Sequence, residues 1–230
     1  MENTNPYTDK LNRWSSHSRI ASMLEEIPKG ARVLDVGAGS GTLARLCLGR
    51  GYFIRGIEPQ RVWQGDIRNL YAEMYEGSLE QTPDTYLEGH SAVVCGDVLE
   101  HLLHPEEQLQ RLVKAQPDGC IFILSVPNVA NIWIRLNLLF GRFDYSERGI
   151  LDRTHLHFYT RKTFISLLRD AGLEVQELQV TPIPLDLVAP FFANNRIGRG
   201  LFNLFAHLTM WWPTMFGYQW VAKAIKIKNN

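Results

Sequence analysis

Val33-Leu34-Asp35-Val36-Gly37-Ala38-Gly39-Ser40-Gly41-Thr42 decides the fold: a short apolar strand runs into three alternating glycines and then into a helical pattern from about Leu43. Glycines at 37, 39 and 41 let the backbone turn tightly and lie against a ligand with no Cβ in the way. A helix starting there directs free N–H groups at the same spot. Such a run cradles a nucleotide, and it also serves as a plain turn between a strand and a helix, so the rest of the chain must decide between them.

Outward from that stretch, the pattern alternates. Arg32 to Val36 reads as strand one, followed by a helix to about Gly49; Tyr52 to Ile57 reads as strand two, ending in Glu58-Pro59. Further strands are predicted at Ala72 to Tyr75, Ala92 to Cys95 and Cys120 to Val126, the last an unbroken apolar run of the kind buried on both faces. Helical patterns cover Lys10 to Ile27 (Leu11, Trp14, Ile20, Leu24 and Ile27 roughly on one face, stopped by Pro28 and Gly30), Pro105 to Ala115, and Thr160 to Ala171 with Gly172 as a C-cap. Leu173 to Val180 and Phe216 to Ile227 close the chain as strands. This order predicts an α/β, Rossmann-like doubly wound sheet. Two excursions interrupt it. Residues 128–159 are irregular and rich in aromatics and histidine, as functional lids are, and 181–213 are unusually apolar.

At 230 residues with 45% hydrophobic content, the chain builds a single domain, residues 1–230, with these two insertions. Lys+Arg and Asp+Glu balance at 24 each, and no basic run stands out, so composition argues against nucleic acid as a partner. Cys47, Cys95 and Cys120 are scattered through apolar stretches without Cys-x-x-Cys spacing, which suits buried thiols in a reducing, cytoplasmic compartment. Met1 to Lys10 is polar and is not a secretory signal.

An open sheet of this type binds its ligand at the carboxyl ends of its strands. Glu58 ends strand two, where a carboxylate accepts hydrogen bonds from both hydroxyls of a ribose, so the ligand contains a nucleoside. Nicotinamide dinucleotides and S-adenosylmethionine both use that arrangement. A dinucleotide fingerprint requires its last glycine where Thr42 stands, and the match fails by one position. Together with Gly96-Asp97-Val98-Leu99-Glu100-His101-Leu102, Ser125-Val126-Pro127-Asn128 and Ile150-Leu151-Asp152-Arg153-Thr154-His155-Leu156-His157-Phe158-Tyr159-Thr160, the glycine stretch resembles the class I S-adenosylmethionine-dependent methyltransferases. The resemblance runs from about Arg32 to Ala171. Phe216 to Val221 looks like that fold's antiparallel seventh strand, which implies a seven-stranded sheet in the order 3-2-1-4-5-7-6.

Carried over by position, the resemblance implies that Asp35, Gly37 and Gly39 line the methionine half of S-adenosylmethionine and Glu58 its ribose, with Gly41 also in the cofactor-binding set. Gly96 and Asp97 would face the methionine amino group and the reacting methyl. Tyr75 to Leu79 occupies the adenine-edge motif, with Ser78 standing where many relatives carry an aspartate, so Ser78 and Leu79 complete the expected cofactor set. Pro117-Asp118-Gly119-Cys120 replaces a common Pro-Gly-Gly at a turn.

Methyl transfer from a sulfonium is an in-line displacement, and holding the reacting atoms collinear supplies roughly 7–11 kcal/mol. A hydroxyl acceptor also needs a proton acceptor, and His155 and His157 are the candidates, with Asp152 or Asp97 orienting the ring. In an extended segment these two histidines point to opposite sides, so at most one faces the acceptor. Structural hydrogen bonding is the rival role for both. Asp97, Glu100 and His101 carry atoms that could share a metal with Asp152 or His155, but no tight spacing such as His-x-x-x-His accompanies them and carboxylates also suit a helix start, so no metal is expected. Trp133, Phe143, Tyr145 and Tyr159 are candidate walls of an acceptor pocket or simple packing; Trp14 and His17 are placed to close over the cofactor.

Leu201 to Trp212 is an apolar, aromatic run flanked by Arg196, Arg199, Lys223 and Lys226, too interrupted to span a bilayer. A peripheral membrane contact, an oligomer contact and a cover over the sheet all suit it. The reading is a methyltransferase acting on oxygen of a small molecule, glycan or lipid-linked intermediate, in the cytoplasm with or without membrane association. Two alternatives stand beside it: a regulatory subunit of this fold that activates a partner enzyme, and a nicotinamide-dependent oxidoreductase.

Overall fold

The computed structural model describes residues 13–60, 67–185 and 189–227. Its centre is a seven-stranded sheet, β1 Arg32–Val36, β2 Phe53–Glu58, β3 Glu73–Glu76, β4 Ala92–Gly96, β5 Ile121–Pro127, β6 Leu173–Thr181 and β7 Gln219–Lys226, in the order β3-β2-β1-β4-β5-β7-β6. The first five strands are mutually parallel, and β7 runs antiparallel to both β5 and β6. The expected order and the reversed last strand are therefore present.

Period-two alternation divides the strand side chains between two cores. Leu34, Val36, Val93, Cys95, Phe122 and Leu124 join one with the helices α4 Pro105–Ala115 and α6 Arg161–Asp170; Val33, Ala92, Val94, Ile123 and Val221 join the other with α1 Ser16–Met23 and α2 Thr42–Leu46. One helical turn, α3 Asp84–Leu87, precedes β4. Cys47, Cys95 and Cys120 are buried free thiols, as their apolar surroundings predict.

Several boundaries differ from the sequence reading. Ser15 caps α1 by accepting from the Ser18 N–H, so the helix begins at Ser16 and Trp14 lies in the turn before it; Lys10 and Leu11 fall outside the described residues. α2 starts at Thr42 and stops at Leu46, too short for its N-terminus to act as a binding site by itself. The lid is not wholly irregular. It contains α5 Ile132–Leu139, which Asn131 caps by accepting from the Trp133 N–H. The second excursion is largely helical: α7 Pro190–Asn194, α8 Arg196–Trp211 and α9 Pro213–Phe216. Phe216 ends α9, so the last strand begins at Gln219 instead.

The lid closes on its own root. Asn128 bridges Tyr159, and the Val129 N–H donates to the Tyr159 carbonyl at 2.9 Å. Asn128 and Asn131 are fully buried, and their side-chain amides both donate to the Gly217 carbonyl, at 2.9 and 2.8 Å. These bonds satisfy polar groups that would otherwise cost about 1–3 kcal/mol each to bury. They also fix the start of the lid against the start of β7, at the end of the sheet where the glycine turn lies.

Candidate active site

The glycine turn joins β1 to α2 with all three glycines left-handed, φ +73° at Gly37, +52° at Gly39 and +76° at Gly41. Gly37 is also steric in origin: a Cβ there would meet the Val98 side chain at 2.7 Å. Gly39 donates its N–H to Glu58 Oε2 at 2.7 Å, while Glu58 Oε1 accepts from the Gln60 N–H at 2.9 Å. Burial pushes the Glu58 carboxyl up, and these two backbone donors oppose that. These two bonds tie the end of β2 to the cradle.

Asp35 lies 4% exposed beneath the same turn and accepts from the Tyr71 hydroxyl at 2.7 Å. With His17, Ile20, Gly37, Ala38 and Gly96 it lines a small cavity between α1 and the cradle. Trp14 does not. Its indole N–H donates to Asn203 Oδ1 at 3.1 Å and its ring packs on His207, which clasps the start of α1 to α8.

Burial raises the Asp35 carboxyl to about 6, with the Tyr71 hydrogen bond opposing and the Glu58 charge adding. In the unfolded chain the same group titrates near about 3.9. The folded state thus favours the protonated form, and this contribution to stability, up to about 3 kcal/mol, is present at low pH and lost as pH rises from about 4 to about 6. Asp35→Asn removes the titration, so the variant's urea-unfolding stability should decline less than the wild type's between those pH values. Parallel pH profiles for the two proteins would contradict the assignment.

At the end of β4, Asp97 has φ +56°, the one positive value among the described non-glycine residues. Strain of about 1–3 kcal/mol at such a position persists only where neighbours hold it. Here the Ser125 hydroxyl donates to Asp97 Oδ1 at 2.8 Å, the Gln219 amide donates to Oδ2 at 2.6 Å, and the Asp97 N–H donates back to Ser125. Ser125 and Gln219 stand in quoted segments of the sequence reading, but neither was given a role at the site. Each sits one strand or more away, and no local spacing links them to Asp97.

Ser78 precedes a 3-10 turn whose bonds it holds: its N–H donates to Gln81 Oε1 at 3.2 Å, its carbonyl accepts from the Thr82 hydroxyl at 2.9 Å and its hydroxyl accepts from the Gln81 backbone, while the Leu79 side chain is buried in the core. The lid histidines separate. The backbone N–H groups of Leu156 and His157 both donate to the Glu100 carbonyl, at 2.7 and 3.1 Å, which lays the segment beside the 3-10 turn Leu99–His101 that follows β4. His155 is then 9% exposed, its Nδ1 lies 3.0 Å from the Ile150 carbonyl, and its ring stands 4.7 Å from that of His101. His157 Nε2 instead lies 3.4 Å from the Leu103 carbonyl and does not join them. Burial lowers the His155 pKa, and the Ile150 carbonyl opposes that.

The partner that orients the His155 ring is therefore a backbone carbonyl, where the sequence reading expected a carboxylate. Asp152 is occupied by the N–H and hydroxyl of Thr154, at 2.8 and 2.6 Å; burial works against its charge, but those bonds hold its carboxyl below the usual range. Of the four expected pocket aromatics, Tyr159 is core and Trp133 is 65% exposed on α5. Phe143 and Tyr145 pack with Phe158, whose ring is 6.4 Å from His155.

The arrangement has counterparts. A family model described as a methyltransferase domain matches residues 9–178. The ubiquinone biosynthesis O-methyltransferase of Aeromonas salmonicida is 28% identical over 162 residues, 65% of each chain, and the mitochondrial one of Bos taurus is 30% identical over 161 residues, 64% of this chain and 42% of the relative. The chain thus spans less than two thirds of either relative's length. Among solved structures, the Burkholderia thailandensis 1,6-didemethyltoxoflavin-N1-methyltransferase with bound S-adenosylhomocysteine aligns with TM-score 0.62 over 94% of this chain and 80% of that one, at 14% identity. A nicotinamide-dependent oxidoreductase fits neither this match nor the sheet with its antiparallel β7. The chain belongs to the methyltransferase domain family, within the class I methyltransferases that depend on S-adenosylmethionine.

Proposed function

We propose that the protein transfers a methyl group from S-adenosylmethionine to a hydroxyl oxygen of a small acceptor, a class that includes glycan and lipid-linked hydroxyl compounds. The observation that carries this reading is the tether of the histidine-bearing lid to the Glu100 carbonyl, which sets His155 beside the strand end that follows the cofactor cradle. A regulatory subunit needs the fold but not a fastened, histidine-bearing segment over the strand ends, and the two ubiquinone biosynthesis relatives are named as O-methyltransferases.

The bound cofactor supplies an electrophilic methyl group on a sulfonium. The chain supplies the rest. Glu58 holds the ribose hydroxyls, the glycine turn and Asp35 receive the methionine side, and Asp97, fixed by Ser125 and Gln219, faces the amino group. His155, oriented by Ile150, serves the acceptor hydroxyl, and the aromatic group of Phe143, Tyr145 and Phe158 walls the acceptor side. Transfer of an isotope-labelled methyl group to a hydroxylated acceptor tests the reading.

The surface supports an apolar or lipid-bearing acceptor. Ile197, Leu201, Leu204, Leu208 and Trp211 recur at helical spacing along α8 and are 39–78% exposed, while Phe202, Ala206 and Thr209 on the opposite side are buried. Arg196 and Arg199 lie at its start. No helix among the described residues is long and apolar enough to cross a membrane. The outward face suits an interfacial contact with an anionic lipid surface. Wild type should float with anionic vesicles and a Trp211→Ser, Trp212→Ser double variant should not; equal recovery of both in the unbound fraction would leave this face to an oligomer contact.

A further inference from the structure

The lid and the start of β7 meet at Tyr218. Its N–H donates to the Thr181 carbonyl and its carbonyl accepts from the Asn128 N–H, each at 2.8 Å, so its backbone is pinned between β6 and the root of the lid. Its ring packs on Ile134, Ile150 and Leu151 beside Phe158, the residue that also gathers Phe143 and Tyr145. Backbone and ring are both held, and the hydroxyl is carried to the acceptor side. Gly149 makes room for it there: a Cβ at that position would stand 3.1 Å from the Tyr218 hydroxyl oxygen.

The charges of Asp97 and Asp152 both act on this hydroxyl, and together with burial, the larger effect, they push its pKa up to about 12. It therefore keeps its hydrogen at neutral pH and is a donor. Neither carboxylate takes that hydrogen, because Asp97 is bonded to Ser125 and Gln219, and Asp152 to Thr154. Among the described residues the Tyr218 hydroxyl has no hydrogen-bond partner, and it is not sealed from solvent. The same two carboxylates act on His155, so the phenol and the imidazole border one space between the end of β4 and the lid. Pockets fix their ligands through a few such convergent polar groups set in apolar walls.

We infer that Tyr218 determines acceptor specificity: its hydroxyl donates a hydrogen bond to an uncharged oxygen of the acceptor, a carbonyl, an ether or a second hydroxyl, other than the oxygen that is methylated. This role rests on the proposed O-methyl transfer, whose acceptor site it sharpens. A donor on the attacking oxygen would draw off the electron pair that must reach the methyl carbon, so the bond falls on a second oxygen. Asp97 and Asp152 flank the donor, so a carboxylate or phosphate placed there meets two like charges, whereas a neutral oxygen does not. A donor left unpaired by an acceptor that lacks the second oxygen is what makes such a site discriminate.

The test compares the full chain with Tyr218→Phe, which keeps the ring and removes a hydroxyl that bonds to no described residue, so the variant should fold. The probes are phenol, the methoxyphenol isomers and the hydroxybenzoate isomers, with cyclohexanol and 2-methoxycyclohexanol as a non-aromatic pair. Turnover is measured with S-adenosylmethionine, and binding of the same probes to the S-adenosylhomocysteine-loaded protein is followed by ligand-observed NMR, which needs no turnover. Wild type should favour at least one methoxy probe over its parent by about 10-fold, mostly through KM, and over the hydroxybenzoate of the same pattern. In Tyr218→Phe the methoxy preference should shrink to within about twofold, with S-adenosylhomocysteine affinity by calorimetry serving as the control for folding. Equal preference in both proteins, or no methoxy preference by the wild type in either measurement, overturns the assignment, as does a preference for the hydroxybenzoate. A methoxy preference in binding with no methyl transfer to any hydroxyl would instead overturn the O-methyltransferase reading and leave the Tyr218 contact standing.

Discussion

Glu58→Ala is expected to weaken S-adenosylhomocysteine binding by about 1.5–3 kcal/mol, roughly 10- to 150-fold, because two neutral hydroxyls lose a charged acceptor. The position of Glu58 makes this a lower bound. Its oxygens also receive the Gly39 and Gln60 N–H groups, so the same substitution frees the cradle from the end of β2. Calorimetric titration of the folded variant provides the measurement, with a thermal melt to separate lost affinity from lost structure. Affinity within a factor of two of wild type would remove Glu58 from the ribose site.

His155→Gln is expected to lower turnover by about 100-fold or more while leaving cofactor affinity nearly unchanged. His155 contacts the Ile150 carbonyl, His101 and Phe158, all within the lid or the turn after β4, and none of the residues of the glycine cradle. A loss confined to turnover therefore reports on the acceptor side. Glutamine keeps a donor for the Ile150 carbonyl, which guards the lid against collapse. Near-normal turnover on a true acceptor, or loss of cofactor binding along with activity, would make the residue structural.

The parts of the fold most legible in the sequence are those set by local rules. Period-two apolar runs bounded by glycine and proline gave the strands to within a few residues, and the Gly-x-Gly-x-Gly turn with Glu58 located the cradle, because the backbone itself demands those glycines. α5 was hidden within the lid for the opposite reason. Ile132-Trp133-Ile134-Arg135-Leu136-Asn137-Leu138-Leu139 is apolar nearly all round, and only Ile134 on this helix is buried, so no inward stripe marks it; the Asn131 cap was its one local signal. α8 was obscured by Asn203, His207 and Thr209, which interrupt the apolar run in sequence. In space, Asn203 holds Trp14 and the Thr209 hydroxyl donates to the Phe205 carbonyl one helical turn back, so those polar groups are satisfied within a continuous helix.

The proposed catalytic side was less legible because it is assembled across the chain. Asp97 depends on Ser125 and Gln219 from two other strands, and His155 meets His101 only when the lid folds back on the turn after β4. Glu100 in "LEH" reads as an acidic residue at a helix start, and nothing local says that it is buried. That fact belongs to tertiary packing.

The most direct measurement of the central claim is methyl transfer itself. The full-length chain, supplied with S-adenosylmethionine carrying an isotope-labelled methyl group and a panel of phenolic, sugar and lipid-linked hydroxyl compounds, is followed by mass spectrometry and NMR. The account predicts a product with the label on oxygen, one S-adenosylhomocysteine released per methyl transferred, and sharply reduced product with Glu58→Ala and His155→Gln. Tight binding of NADH with no binding of S-adenosylmethionine, or the label arriving on nitrogen or carbon of its true acceptor, would contradict it.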